Sequence, residues 1–223
     1  MKSLLLAICS LAVALAGNLA HGIEIKLYPT GPAEDSAFVR FVDGGGSGLR
    51  VTAPGSQLAL ELGASFRSSP YMPVAGKTTI QGELAQGQDK RAVSVDVMPG
   101  EFVTVLGIKT DEGLQVHTLH EEADDFTAVR ASIAFYDLND SCRDAGVQVV
   151  GRSVSLFENV ETGKWVRRQV NPVPLSVQLL CDGRPVGGPL DLGTLGAGER
   201  HSLFLAPGDP AQQFFHVKDE LAF

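Results

Sequence analysis

The stretch "AVSVDVMPGEFVTVLG", Ala92 to Gly107, carries the fold in miniature. Val93, Val95 and Val97 alternate with Ala92, Ser94 and Asp96, the two-residue period of a strand with one face in a core. "MPGE" supplies a turn, and a second β-rich run follows at once. The alternation recurs at Leu58, Leu60 and Leu62 against Gln57, Ala59 and Glu61, and at Leu175, Val177 and Leu179 against Ser176, Gln178 and Leu180. Turn clusters such as "DGGGSG", "PVAGK", "CDGRP" and "LGAGE" separate these runs. With 25 Gly and 12 Pro, the strands are expected to be short and antiparallel, and no long amphipathic helix competes with them. The chain is all-β.

The same stretch has an echo. "PGEFVTVLG" returns as "AGERHSLFLAPG", and "SAFVRFVDGG" (Ser36 to Gly45) returns as "AVRASIAFYDLND" (Ala128 to Asp140). Gly100 and Gly198 stand 198 − 100 = 98 residues apart, the length of one β-sandwich. The expectation is two tandem antiparallel β-sandwich domains of seven-strand type, over residues 21–123 and 124–223. The acidic segment "HEEADDFTA", His120 to Ala128, reads as the linker, because four carboxylates within five positions resist burial and few contacts should cross them.

Residues 1–20 read as a secretory signal peptide: Lys2, an unbroken apolar run from Leu4 to Ala16, then small and polar residues. Two cleavage positions fit, after Ala14-Leu15-Ala16 and after Ala20. The run is shorter than the roughly 20 apolar residues of a spanning helix, so a soluble product outside the cytoplasm is expected. Its loss takes the formal net charge from −8 to −9, a poor match for nucleic acid or an anionic membrane. A basic cluster at Lys164, Arg167 and Arg168 is left either to meet an anionic polymer or to be a solvated loop. Cys9 leaves with the leader, and the remaining pair, Cys142 and Cys181, is expected to form a disulfide in an oxidising compartment.

No catalytic constellation emerges. "GGGSG" at Gly44 to Gly48 resembles a nucleophile elbow, but a G-x-S-x-G motif centred on Ser47 needs glycine where Leu49 stands. None of His117, His120, His201 and His216 has an aspartate three residues before it, so the D-x-x-H block of an SGNH-type esterase is missing. "HTLHEE" spaces His117 and His120 as some zinc sites do, yet on a strand the two point to opposite faces. No metal or cofactor site is assigned. Trp165, Tyr28, Tyr71 and Tyr136 are the candidate sugar platforms, with core or rim packing as the alternative.

One further stretch, "LYPTGPAEDSAFVRF" (Leu27 to Phe41), resembles the start of the AlgF family, the periplasmic alginate O-acetylation proteins. "RRQVNPVPLSVQLLCDGRPV" (Arg167 to Val186) and "LGAGERHSLFLAPG" (Leu195 to Gly208) are similar to that family's second domain. The resemblance implies a periplasmic adaptor without catalytic residues of its own. Its partners would be a membrane-bound O-acyltransferase and SGNH-type acetyltransferases that decorate an exopolysaccharide, either alginate or cellulose. A chaperone or polysaccharide-binding module is the alternative, and an acetyl carrier with an unrecognised serine is a third. Pro29 and Pro32 stiffen the arm, so Tyr28, Phe38 and Arg40 are expected either to contact a partner or to cover a sheet edge.

Overall fold

The computed structural model describes residues 35–122, 128–152 and 154–222. The leader, Tyr28 and the linker midpoint at Asp124 lie outside the described residues.

Sixteen strands are formed among the described residues, eight up to Glu121 and eight from Ala131 onward. The first eight are β1 (Ser36–Asp43), β2 (Leu49–Thr52), β3 (Ala59–Leu62), β4 (Met72–Ala75), β5 (Thr78–Gln86), β6 (Asp89–Val97), β7 (Phe102–Thr110) and β8 (Gly113–Glu121). They make two four-stranded sheets, β4-β1-β7-β8 and β3-β2-β5-β6. The second eight are β9 (Ala131–Asp137), β10 (Ala145–Val149), β11 (Ser155–Val160), β12 (Lys164–Val170), β13 (Pro174–Cys181), β14 (Arg184–Thr194), β15 (Arg200–Leu205) and β16 (Phe214–Asp219). Their sheets, β12-β9-β15-β16 and β11-β10-β13-β14, repeat the first pair strand for strand. A single helical turn, Pro210–Gln213, precedes β16.

The fold is therefore two β-sandwiches in tandem, with eight strands each where seven had been expected. One pairing in each sandwich departs from the antiparallel expectation. β1 runs parallel to β7 and β9 parallel to β15. A parallel pair needs a long crossover, and the chain supplies one by passing through the opposite sheet before it returns. Gly100 and Gly198 open the returning strands with φ of 81° and 79°, a left-handed turn that glycine makes without steric cost.

Three apolar cores explain the burial pattern. Ala37, Val39, Val103 and Val105 of one sheet meet Leu49, Val51, Leu84 and Val97 of its mate. Ile133, Phe135, Leu203 and Leu205 meet Val147, Val177 and Leu179 in the second sandwich. A third core joins the sandwiches, with Val42, Leu106, Ile108 and Leu119 against Ala134, Tyr136, Phe204, Phe215 and Val217. The sheets holding β1 and β9 are thus covered on both faces. This is why "FVTVLGI" and "ASIAFY" read as near-continuous apolar runs, the pattern of strands with no solvent side. The expectation that few contacts cross the acidic segment is corrected by this third core, and the described residues cluster as one compact unit.

Two local readings are also revised. Leu60 and Leu62 pack inward as their alternation requires, but Leu58 precedes β3 in a turn and is 84% exposed. Glu121, grouped with the acidic linker, is the last residue of β8 and is 1% exposed. Cys142 and Cys181 are disulfide-bonded, with Cα atoms 5.0 Å apart, and both lie against the core of the second sandwich.

Candidate functional site

Arg40 sits in the middle of an apolar strand and has no exposed surface. Burying a guanidinium is costly unless every donor finds an acceptor. Its Nε donates to Thr104 Oγ1 at 2.9 Å, one terminal nitrogen to Asp219 Oδ1 at 2.6 Å, and the other to Ser202 Oγ at 2.8 Å. Its carbon lies 4.4 Å from the Tyr71 ring centroid and 5.4 Å from that of Phe204. Asp219 and Ser202 belong to the other sandwich, so Arg40 is a cross-link between them. The expectation that Arg40 is offered to a partner is corrected: the side chain is internal. Phe38, two residues earlier, is half-buried and stacks on Phe102 with centroids 4.7 Å apart. Tyr28 lies outside the described residues.

A reciprocal bridge runs the other way. Arg167 of β12 donates to Glu121 Oε2 of β8 at 2.6 Å and 3.2 Å, and its terminal nitrogen also lies 3.7 Å from Asp219 Oδ2. Glu121 Oε1 accepts from the Tyr136 hydroxyl and, at 3.5 Å, from Tyr71. Glu121 and Asp219 end β8 and β16 and occupy the same register position, opposite Phe102 and Arg200. They are 219 − 121 = 98 residues apart, the repeat length itself, so that spacing was the signal by which the sequence could have found them.

Two arginines and two carboxylates make the cluster formally neutral. Burial raises the pKa of Asp219, but Arg40 and Arg167 outweigh it and hold the carboxyl below the usual range. Burial opposes the charge on Arg40 as well, and Asp219 overcomes it, so the guanidinium is held protonated. Burial, reinforced by Glu121, keeps the Tyr136 hydroxyl protonated far above neutrality. Burial does the same at Tyr71. These groups hold position rather than exchange protons near pH 7. The geometry is that of a lock. Arg67, 3.4 Å above the Phe215 ring, and the Trp165 indole, donating to the His120 carbonyl at 3.1 Å, add to it from the periphery.

The other candidates from the sequence are dispersed. Ser47 lies in the loop after β1, where its Oγ accepts from Gln86 Nε2 at 2.7 Å. His117 shares the junction face of β8 with Leu119 and Glu121, while His120 lies on the opposite face, 3.5 Å from Glu101. Of the basic cluster, Lys164 is exposed, Arg167 is committed to Glu121, and Arg168 reaches the Ser155 and Leu156 carbonyls. Tyr71 and Tyr136 are buried in the lock and present no sugar platform.

His201 and His216 do meet. His201 Nδ1 is 2.9 Å from His216 Nε2, and its Nε2 is 3.3 Å from Glu199 Oε2, with Lys218 on the other carboxylate oxygen at 2.5 Å. Burial lowers both histidines, His216 to about 4, where the neighbouring His201 contributes as well. Both rings are neutral at pH 7. His216 then donates to His201, which donates to Glu199.

No protein-family model matches the chain, and no curated protein matches it. Among solved structures it is similar to a "putative cell adhesion protein" from Bacteroides ovatus, at 6% identity over 87% of this chain and 99% of that one, with a TM-score of 0.27. The fold described above rests on strand order and register.

Proposed function

We propose that this chain is a periplasmic, non-catalytic accessory protein required for O-acetylation of an exopolysaccharide, alginate or cellulose. It works beside a membrane-bound O-acyltransferase and SGNH-type acetyltransferases. One observation carries the reading. The three stretches that resemble the AlgF family supply Arg40, Arg167 and Ser202, which weld the sandwiches together. The stretches that carry the resemblance therefore include residues that decide the architecture, as an accessory protein whose role is structural requires. Ser47 in the loop after β1, and His117 and His120 on opposite faces of β8, are not gathered into one site, which supports an accessory role over an acetyl carrier.

The test is genetic and chemical together. Deletion of the gene should leave a polymer that is still made and exported but carries no O-acetyl esters. Ser47→Ala, His117→Ala and His120→Ala should each restore acetylation as fully as the parent gene. The purified protein should release no acetate from nitrophenyl acetate. An esterase activity abolished by one of those substitutions would overturn the accessory reading, and normal acetylation in the deletion strain would overturn the pathway.

A further inference from the structure

The second sandwich is open at the end where β10 turns into β11 and β12 into β13. Between those turns lies a cleft of about 610 Å³, within the size range of small-molecule sites. Leu156 and Leu175, which belong to the core of the second sandwich, are part of its lining. Its walls carry Val150, Val154 and Val173, exposed by 41%, 50% and 42%. Three of the eight exposed large apolar side chains among the described residues therefore converge on one cleft, an arrangement water disfavours and a ligand relieves. Every apolar lining residue is aliphatic. A flat ring finds no face to stack on, whereas a saturated chain fits such walls.

The mouth is charged unequally. Asp191 is committed, since its Oδ1 accepts from the Ser176 hydroxyl at 3.2 Å and from the Gly193 amide at 3.0 Å. Arg152 is exposed and its guanidinium makes no ion pair among the described residues. The same arginine, with Val149 and Val150, also lines an adjoining depression of about 380 Å³ whose other walls include Gln148 and Gln178. A cation thus stands where two adjoining depressions meet, beside the exposed valines and with Asn171 and Ser176 also in the cleft lining, in a chain that is acidic overall.

We propose that this cleft binds a saturated aliphatic chain ending in an anionic head, with the chain between Val154 and Val173 and the head at Arg152. The first sandwich provides a control within the molecule. Leu58 precedes β3 as Val154 precedes β11 and is more exposed, but the turn before it, Ala53 to Gln57, has no cation.

The experiment is calorimetric titration of the purified protein with decanoate, kept below its micelle concentration, and with decan-1-ol. Saturable one-to-one binding of both is expected. Val154→Asp should weaken both about tenfold or more, since it places a carboxylate on the chain's path. Arg152→Glu should weaken decanoate about tenfold while leaving decanol within about twofold. Leu58→Asp should change neither. All three positions are exposed, so melting curves should match the parent. Absence of saturable binding, decanoate affinity indifferent to Arg152→Glu, or an equal loss with Leu58→Asp would each overturn the assignment. The acetylation phenotype does not enter this test, so the two proposals fail separately.

Discussion

Replacing Arg40 with Ala removes three hydrogen bonds and leaves Asp219 buried in the junction. The carboxylate then keeps Ser202, whose hydroxyl donates at 2.7 Å, and the more distant Arg167 at 3.7 Å. Breaking one partner out of a buried ion pair costs about 3–5 kcal/mol, because the remaining charge stays desolvated. For a chain of this size each kcal/mol lowers the melting temperature by about 2–4 °C, so a fall of about 6–20 °C is expected. Differential scanning calorimetry at pH 7.5 measures it. Arg40→Met combined with Asp219→Leu should recover most of the loss, since an apolar pair of similar volume suits a junction already lined by Phe204, Leu106 and Val42. The wild-type contribution should hold as the solution is acidified. Asp219 has a folded pKa below its unfolded value, so its stabilisation is present above about pH 4 and is lost only as pH falls through the lower folded value. A fall of under about 3 °C with Arg40→Ala, or a double variant no better than the single one, would refute the lock.

Three further outcomes follow from other parts of the structure. Reduction of Cys142–Cys181 reopens a 39-residue separation and should cost about 4 kcal/mol of unfolding free energy in urea, by loss of the constraint on the unfolded chain. His201 and His216 are depressed in the folded state, so the unfolded chain takes up protons first. Stability should fall as pH drops from about 6.5 towards 4, and His216→Gln should flatten that slope in melts taken across the range. Asp137 is buried with one carboxylate oxygen unpartnered, and burial pushes its pKa up to about 6. Its stabilisation is present below about pH 4 and lost as pH rises through 6. Asp137→Asn should therefore gain up to about 3 kcal/mol at pH 7.5 and nothing near pH 3.5, with equal gains at both pH values counting against the argument.

Period and punctuation in the sequence determined the class, the strands and the duplication. Val95, Val97, Leu175, Val177 and Leu179 are buried as two-residue alternation requires, and Gly100 and Gly198 turn alike, 98 residues apart. Those features are local: a pleated strand shows alternate side chains to one face, and a left-handed turn selects glycine wherever it falls. The partner of each strand was decided elsewhere. Parallel pairing of β1 with β7 and β9 with β15 depends on contacts more than 60 residues apart, which no local pattern encodes. The same holds for the junction. Arg40 in an apolar run and Glu121 beside an acidic linker look exposed by composition, because hydropathy prices each residue alone. A buried charge is tolerated only when its counter-charge arrives from another element. For Arg40 that is Asp219, 179 residues away, and for Glu121 it is Arg167, 46 residues away. The repeat announced two units, but only their packing could turn two sandwiches with separate cores into a stack with a third core between them.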